Sequence, residues 1–477
     1  MLTSSMNQAK RIATIGAGPA GLAALKVLLD TNQVRSGKWV VKSFEAREKV
    51  GGIWNPAEPL HNPPLTPLYD SMTTNIPHPV MAFTSYPFPP STPIFPPAAT
   101  VQIYLEDYAT HFDLLPHIQF DTIVVDVSWS TSCKIWTVTL STGQKYEFDA
   151  VIVANGHFRK PRYPETPGLS EWLQSGKVTH SVWYRRPSSL DPVIKKVIVV
   201  GNGPSGQDIS TELLEHGLTV IHSVSGSSSE DSGHFKKRSA IAQFRSDNSV
   251  IFDDGSVENQ VDHCILATGY EMDFPFLSPS TLPSSSFGKF PETWTVRNSS
   301  YHVFPLAKHM FPVEGDFPLG SLAFMGLLLR GTPLSLFEAQ AHAIAKVYAN
   351  PEVLNMEQER LVILTRFRQF ASYEETLVAK MWHKLTEAEA FTYRDELYEF
   401  AGLDTRVEDW ERDMWLYKVE LRREWRALVK ENEVDQWISG VGSAGRHEWI
   451  ALLRRILQRA GVDTLPADRP PASLTIR

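Results

Sequence analysis

The sequence predicts an α/β fold with two doubly wound parallel-sheet units and a helical C-terminal extension, and three observations carry this reading. Two glycine motifs, Gly16-Ala17-Gly18-Pro19-Ala20-Gly21 and Gly201-Asn202-Gly203-Pro204-Ser205-Gly206, each follow an apolar run, at 12–15 and 197–200. Two similar segments, 148–157 and 261–270, each read as a buried strand ending in glycine (Gly156, Gly269). Beyond residue 351, apolar residues recur at helical spacing. A chain of 477 residues with 42% hydrophobic and 21% charged residues is long enough for two or three ordinary globular domains.

The elements follow in order. Residues 11–55 read as strand, helix and strand, closed by a turn at Gly51-Gly52 with Ile53-Trp54-Asn55 behind it. Between Pro56 and Pro97, 13 of 42 residues are proline. Interleaved aromatics (Tyr69, Phe83, Tyr86, Phe88, Phe95) and the lack of a basic flank favour an ordered loop packed over a ligand rather than a disordered proline-rich segment. A helix is expected over 100–112, and alternating segments at 123–127 and 135–140 predict an antiparallel excursion. The strands ending at Gly156 and Gly269 mark where the chain leaves the first unit for the second and returns. Residues 319–348 carry Phe337, Ala341, Ile344 and Val347 at helical spacing. Residues 351–477 hold six of the 13 tryptophans and an amphipathic pattern at Trp410, Met414, Tyr417, Leu421, Trp425 and Leu428. That pattern predicts helices packed on the first unit or on a second subunit; tryptophans lining a channel are the alternative.

The spacing of the glycines has a chemical reading. Each set permits a tight strand-to-helix turn, lets the backbone approach a pyrophosphate and aims a helix N-terminus at its charge. Two such Rossmann-like motifs predict two bound dinucleotides. After the first, the strand at 39–44 ends in Glu45, 24 residues beyond Gly21, where a carboxylate can accept hydrogen bonds from a ribose 2′-hydroxyl of FAD or NAD. After the second, the strand at 218–224 runs through His222, Ser223 and Ser225 without a carboxylate, and the nearest bases are Lys236, Lys237 and Arg238. Nothing there repels a 2′-phosphate, which points to NADPH over NADH.

Composition excludes several classes. With 46 basic and 54 acidic residues the net charge is −8, so no nucleic-acid surface is expected. Cys133 and Cys264 are the two cysteines, which leaves no disulfide framework and no Cys-x-x-Cys redox pair. No metal site is expected. The first strand begins by about residue 11 and no apolar run approaches membrane-spanning length, so a cytoplasmic protein without a signal peptide or membrane anchor is expected.

The motifs together resemble a class B flavin-dependent monooxygenase, and within that class a flavin-containing monooxygenase of the fungal kind. The resemblance covers about residues 10–350. It rests on both glycine loops, on Glu45-Ala46-Arg47 with Gly51-Gly52-Ile53-Trp54, on Tyr69-Asp70-Ser71-Met72-Thr73-Thr74-Asn75-Ile76-Pro77, on Ala267-Thr268-Gly269-Tyr270, and on the linker Gly176-Lys177-Val178-Thr179-His180-Ser181-Val182-Trp183-Tyr184. Tyr184 stands where Baeyer–Villiger relatives carry tryptophan. The resemblance implies an FAD-binding domain over 1–172 and 278–350, an inserted NADPH-binding domain over 173–277, and a helical region over 351–477.

It also implies a reaction: NADPH and O2 give a C4a-hydroperoxyflavin, whose distal oxygen passes to a soft nitrogen or sulfur of a small amine, thiol or sulfide. A ketone-oxygenating enzyme, an uncoupled NADPH oxidase and an inactive FAD-binding scaffold are the alternatives. The cofactor carries the reactive group, so few catalytic side chains are expected. Asn75 is the first of these, its amide able to donate and accept at the flavin and nicotinamide, although it also suits a turn before Ile76-Pro77. Expected around FAD are Gly16, Gly18, Pro19, Ala20, Gly21, Glu45, Gly52, Ile53, Trp54, Thr74 and Gln340. Expected around NADPH are Gly201, Gly203, Pro204, Ser205, Gly206, Gln207 and Asp208, the last competing with a helix-capping role. His180 and Tyr184 belong to the linker motif, where His180 couples the domains or transfers a proton. Arg185 and Arg186 either face NADPH phosphate or are solvated.

Overall fold

The computed structural model describes residues 9–284 and 293–462; the end of the expected helical region, 463–477, lies outside them. In the first strand pair Ile12, Ala13, Thr14, Ile15, Val41, Ser43 and Phe44 are buried, and burial of successive residues on both faces suits a parallel sheet covered by helices. Five strands lie parallel in the order Leu322–Phe324, Ala150–Val153, Lys10–Ile15, Trp39–Phe44, Ile118–Gln119. The predicted antiparallel excursion is present as Val124–Ser130 and Ile135–Leu140, with a third strand, Lys145–Phe148, added.

A second sheet runs Glu230–Ser232, Phe235–Arg238, Thr219–Ser223, Lys196–Val200, His263–Leu266, Val178–His180, parallel except at its Glu230–Ser232 edge. The helix Pro204–Glu215 covers one face of it through Ile209 and Leu213. A small antiparallel sheet (Ile241–Phe244, Val250–Phe252, Val257–Glu258) supplies Phe244, Val250 and Phe252 to the core on the other.

The two crossing connections run side by side. Pro161 and Tyr270 form an isolated antiparallel bridge, Arg162 N donates to Gly269 O at 3.0 Å, and Thr268 Oγ1 donates to Arg162 O at 2.5 Å. Both chain passages are thereby tied into one double-stranded joint between the units.

The helices from Pro333–Ala349 to Arg446–Arg459 pack on the first unit. Trp382, Trp410, Trp425 and Trp449 join the same buried cluster as Leu22, Leu25 and Val101, and Trp415 is buried with them. Side chains lining an open channel would be exposed. These five are packed in a core instead, which decides against the channel reading. The amphipathic pattern through residue 428 spans two helices, Asp409–Leu416 and Lys418–Lys430, with Tyr417 (φ −99°, ψ 21°) at the break.

Candidate active site

The two fingerprints are built alike. Gly16 (φ +102°) and Gly201 (φ +112°) turn the chain from strand to helix in the left-handed region that favours glycine. A methyl on Gly16 would lie 2.6 Å from Ala154 O, and one on Gly201 would collide in the same way with Ala267 O, the equivalent residue of the second crossing strand. Gly16 N donates to Phe44 O at 2.8 Å and Gly201 N to Ser223 O at 2.9 Å. Each helix, Pro19–Leu29 and Pro204–Glu215, begins with a proline at its start, no side-chain cap and no acid in its first turn. The unsatisfied N–H groups and the positive dipole end are therefore open to an anion, which fits a dinucleotide pyrophosphate at both.

The differences lie around this common frame. The first loop is roofed: Gly51 N donates to Ala17 O at 3.1 Å, and a methyl on Gly18 would meet Gly52 Cα at 3.4 Å. Gln102 Nε2 holds Val50 O at 2.9 Å, and the Thr66 hydroxyl donates to Ile53 O, which sets the half-buried Trp54 beside the loop. A methyl on Gly203, by contrast, would meet nothing within 4 Å. Buried Glu45 accepts from Ala17 N at 2.6 Å and Arg47 N at 3.0 Å, and burial raises its pKa against those bonds. It shapes the first loop and keeps further lone pairs for a ribose hydroxyl. Because Phe44 corresponds to Ser223, the residue in Glu45's place is Val224.

The three bases noted after the second strand separate by strand alternation. Lys236 and Arg238 point to the face of the small antiparallel sheet, where Glu258 accepts from Lys236 at 3.0 Å and Arg238 at 2.5 Å, and Asp231 pairs with Arg238. Lys237 is in register with His222 on the helix-bearing face, and His222 Nε2 reaches Gly201 O at 2.9 Å. Among the described residues Lys237 has no ion pair.

Two side chains of the second helix have partners within the protein. Gln207 Nε2 donates to Asn202 O at 3.1 Å and so closes the loop on itself. Asp208 does not cap the helix. It accepts from Tyr69 Oη at 2.8 Å, from Arg422 Nη2 at 3.0 Å and from Arg426 Nη2 at 3.1 Å.

The proline-rich segment is ordered and carries Asn75 at an exposed turn. Thr74 N donates to Pro96 O at 3.0 Å, the buried Thr74 hydroxyl donates to Ile76 O at 2.9 Å, and His78 N donates to Ile94 O at 2.8 Å. The turn is thus pinned on both sides of Asn75, and the amide itself is left to solvent.

The linker behaves as a joint. His180 is fully buried; Val182 N donates to its Nδ1 at 3.1 Å, which leaves Nε2 to donate to Gly269 O at 3.0 Å. Both nitrogens are used by the neutral ring, and burial lowers its pKa to about 4. Tyr184 Oη donates to Glu212 at 2.8 Å. Arg185 is neither solvated nor open to a phosphate: it is buried, and its guanidinium donates to the carbonyls of Ala57, Thr66, Val182 and Tyr184 at 2.8–3.2 Å. Arg186 pairs with Asp70 on the surface at 3.1 Å.

Gln340 also departs from expectation. It is fully buried, accepts from Gly326 N at 3.1 Å and donates to Tyr393 Oη at 3.3 Å. It supports the Gly326 turn, which lies against Ala20 of the first fingerprint, rather than walling an open cleft. The contacts missed from sequence are Arg185 and the pair Arg422 and Arg426. The one available signal was an arginine repeated after four residues on a helix whose apolar face was already assigned to the core. Among the described residues no acidic, histidine or cysteine cluster could hold a metal, and no helix is long and apolar enough to cross a membrane.

Comparison with known proteins agrees with this fold. The family model described as flavin-binding monooxygenase-like matches residues 9–230 and 229–407. A curated relative, flavin-containing monooxygenase FMO GS-OX-like 7 of Arabidopsis thaliana, is 31% identical over 463 residues, 89% of this chain and 91% of its own. The solved S-allyl-L-cysteine S-oxygenase of Allium sativum matches with a TM-score of 0.74 at 26% identity, covering 94% of this chain and 99% of that one. Tmm from Pelagibacter sp. strain HTCC7211, at 21% identity and a TM-score of 0.67 over 87% of this chain and 91% of its own, shares the fold.

Proposed function

The chain belongs to the flavin-binding monooxygenase-like family of FAD- and NADPH-dependent monooxygenases, and on that premise we propose that it oxygenates the sulfur or nitrogen of a small organic molecule, with sulfides the first class to test. The observation that carries the proposal is the pair of uncapped fingerprint helices, one loop roofed by Gly52 and the other open at Gly203. A roofed site suits a resident cofactor and an open one suits a reductant that exchanges. The S-oxygenase of Allium sativum, alike over nearly the whole chain, is the support for sulfur.

Reduced FAD supplies the chemistry, activating O2 and delivering one oxygen atom. The chain supplies the setting. Gly16, Gly18, Pro19, Ala20 and Gly21, at the first helix N-terminus, would hold the FAD pyrophosphate, Glu45 would bind its ribose, and Gly52, Ile53, Trp54 and Thr74 would help to hold its ring. Gly201, Gly203, Pro204, Ser205 and Gly206 would do the same for NADPH, and Lys237, uncommitted on the helix-bearing face, would bind the 2′-phosphate. Asn75 offers a donor and an acceptor that do not titrate, held by the Thr74 and His78 backbone bonds. His180 and Tyr184 hold the two units in register.

The direct test is product analysis. Incubation with NADPH, O2 and a panel of thioethers and tertiary amines is expected to yield sulfoxide or N-oxide in proportion to NADPH consumed. Formation of lactone or ester from ketones, with sulfides and amines untouched, would overturn the proposal. Asn75→Ala is expected to keep FAD bound while raising the peroxide released per NADPH; unchanged coupling would remove Asn75 from its role.

A further inference from the structure

Asp208 belongs to a joint that the second fingerprint did not foretell. Its carboxylate, with 15% of the side chain exposed, gathers three donors from two distant segments: Tyr69 of the proline-rich loop, and Arg422 and Arg426 of the helix Lys418–Lys430. The two arginines are four residues apart, one turn of helix, so both guanidinium groups converge on one acceptor. One turn further along the fingerprint helix, Glu212 accepts from Tyr184, and the rings of Tyr69 and Tyr184 lie 6.2 Å apart in the same apolar cluster as Ile209 and Leu213. Burial and the Asp208 carboxylate push the Tyr69 phenol well above its ordinary pKa, so it stays a donor.

The neighbouring face of Lys418–Lys430 is anchored elsewhere. Leu421, Trp425 and Leu428 are buried in the core of the first unit, and Trp425 meets Phe95 with ring centroids 6.5 Å apart. One helix of the C-terminal region is therefore packed into the flavin-binding unit and ion-paired to the helix whose N-terminus faces NADPH.

We propose that Arg422 and Arg426, through Asp208, are positioning residues that set the approach of bound NADPH to the flavin. The proposal rests on NADPH being the reductant. It assigns the C-terminal helices a part in the reductive half-reaction, since a displacement of about 1 Å at a reacting pair costs as much as 100-fold in rate.

The test uses the full FAD-loaded protein carrying Arg422→Gln and Arg426→Gln, neither of which lies in a fingerprint loop. Three readouts are taken: flavin reduction at saturating NADPH without oxygen, flavin reduction by dithionite, and amide hydrogen exchange of 204–215 and 66–75 without nucleotide. The expected result is NADPH-driven reduction slowed about tenfold or more, dithionite reduction and FAD content unchanged, and faster exchange confined to those two segments. Arg422→Lys, which keeps the charge, is expected to restore most of the rate. Wild-type reduction and exchange in the double variant would overturn the proposal, as would equal slowing with dithionite accompanied by FAD loss. A wild-type protein that NADPH does not reduce would refute the premise on cofactor use; the exchange measurement still tests the ion-paired joint by itself.

Discussion

Two glycines of one fingerprint are expected to fail in opposite ways when each is changed to alanine. At Gly206 the added methyl would fall well inside contact distance of Gly201 O, a backbone atom that cannot swing aside. Overpacking of this kind costs about 1–3 kcal/mol, so Gly206→Ala should lower the melting temperature whether or not a nucleotide is present. At Gly203 the methyl meets nothing within 4 Å, and φ −73° with ψ 173° is comfortable for alanine. Alanine is poorer than glycine at a helix N-cap by some ~0.5–1 kcal/mol, and the stiffer unfolded chain returns ~0.4–1 kcal/mol, so stability should change little. The same methyl occupies the side from which a pyrophosphate reaches the loop N–H groups. Losing a hydrogen bond to a charged group costs about 1.5–3 kcal/mol, which is about 10- to 100-fold in Kd. Thermal melts of the apoprotein and titration with NADP+ followed by tryptophan fluorescence separate the two effects. A Gly203→Ala protein that binds NADP+ as wild type does would refute the assignment of this loop to pyrophosphate, and one that melts early would refute the reading of open space.

Three further outcomes follow from the structure. Lys237→Ala should weaken NADPH binding about 10- to 100-fold and leave NADH unaffected, whereas equal losses for both would place the 2′-phosphate elsewhere. His180→Gln should destabilise the protein by about 1–3 kcal/mol yet leave the shape of the pH–rate profile between pH 6 and 9 intact, because a ring held neutral down to about pH 4 does not titrate there; disappearance of a limb would mean that His180 transfers a proton after all. The cluster of buried His302 and His383 with half-buried His309, in which His309 and His383 meet at 3.1 Å, should destabilise the fold in acid. Burial holds His302 at about 4, His309 at about 3 and His383 well below its ordinary value. The unfolded chain therefore takes up protons first, and stability falls as pH drops from about 6.5 toward 4, by ~1.4 kcal/mol per histidine at pH 5.5. Melting temperatures at pH 7.5 and 5.5 test this, and alanine at His383 should flatten the difference.

What could be read from sequence was local. The fingerprints announce themselves because a turn, a close approach and a helix start fall within six residues, and the Trp39–Phe44 strand was legible from its apolar run. Asn75 stood out because its motif is contiguous, whereas its exposure and the backbone bonds that flank it came from the fold. The alternation of Phe235, Lys236, Lys237 and Arg238 was also on the page, but which face bears the helix is set by sheet order, so the free lysine could not be told from its paired neighbours. Arg185, Gln340 and Asp208 went astray for a common reason: their partners lie far along the chain, 214 residues away for Asp208 and Arg422 and 53 for Gln340 and Tyr393. A polar side chain near a cofactor motif looks like a ligand until the segment that satisfies it is brought alongside.

The central claim, that this chain passes an oxygen atom from O2 to a soft nucleophile at the expense of NADPH, is tested most directly with labelled oxygen. The protein is incubated with NADPH, a thioether and 18O2, and the product is examined by mass spectrometry alongside NADPH consumption and peroxide. Sulfoxide carrying one labelled oxygen per NADPH oxidised, with little peroxide, is the expected result. NADPH oxidation balanced by peroxide, with no labelled product from any sulfide or amine offered, would contradict it.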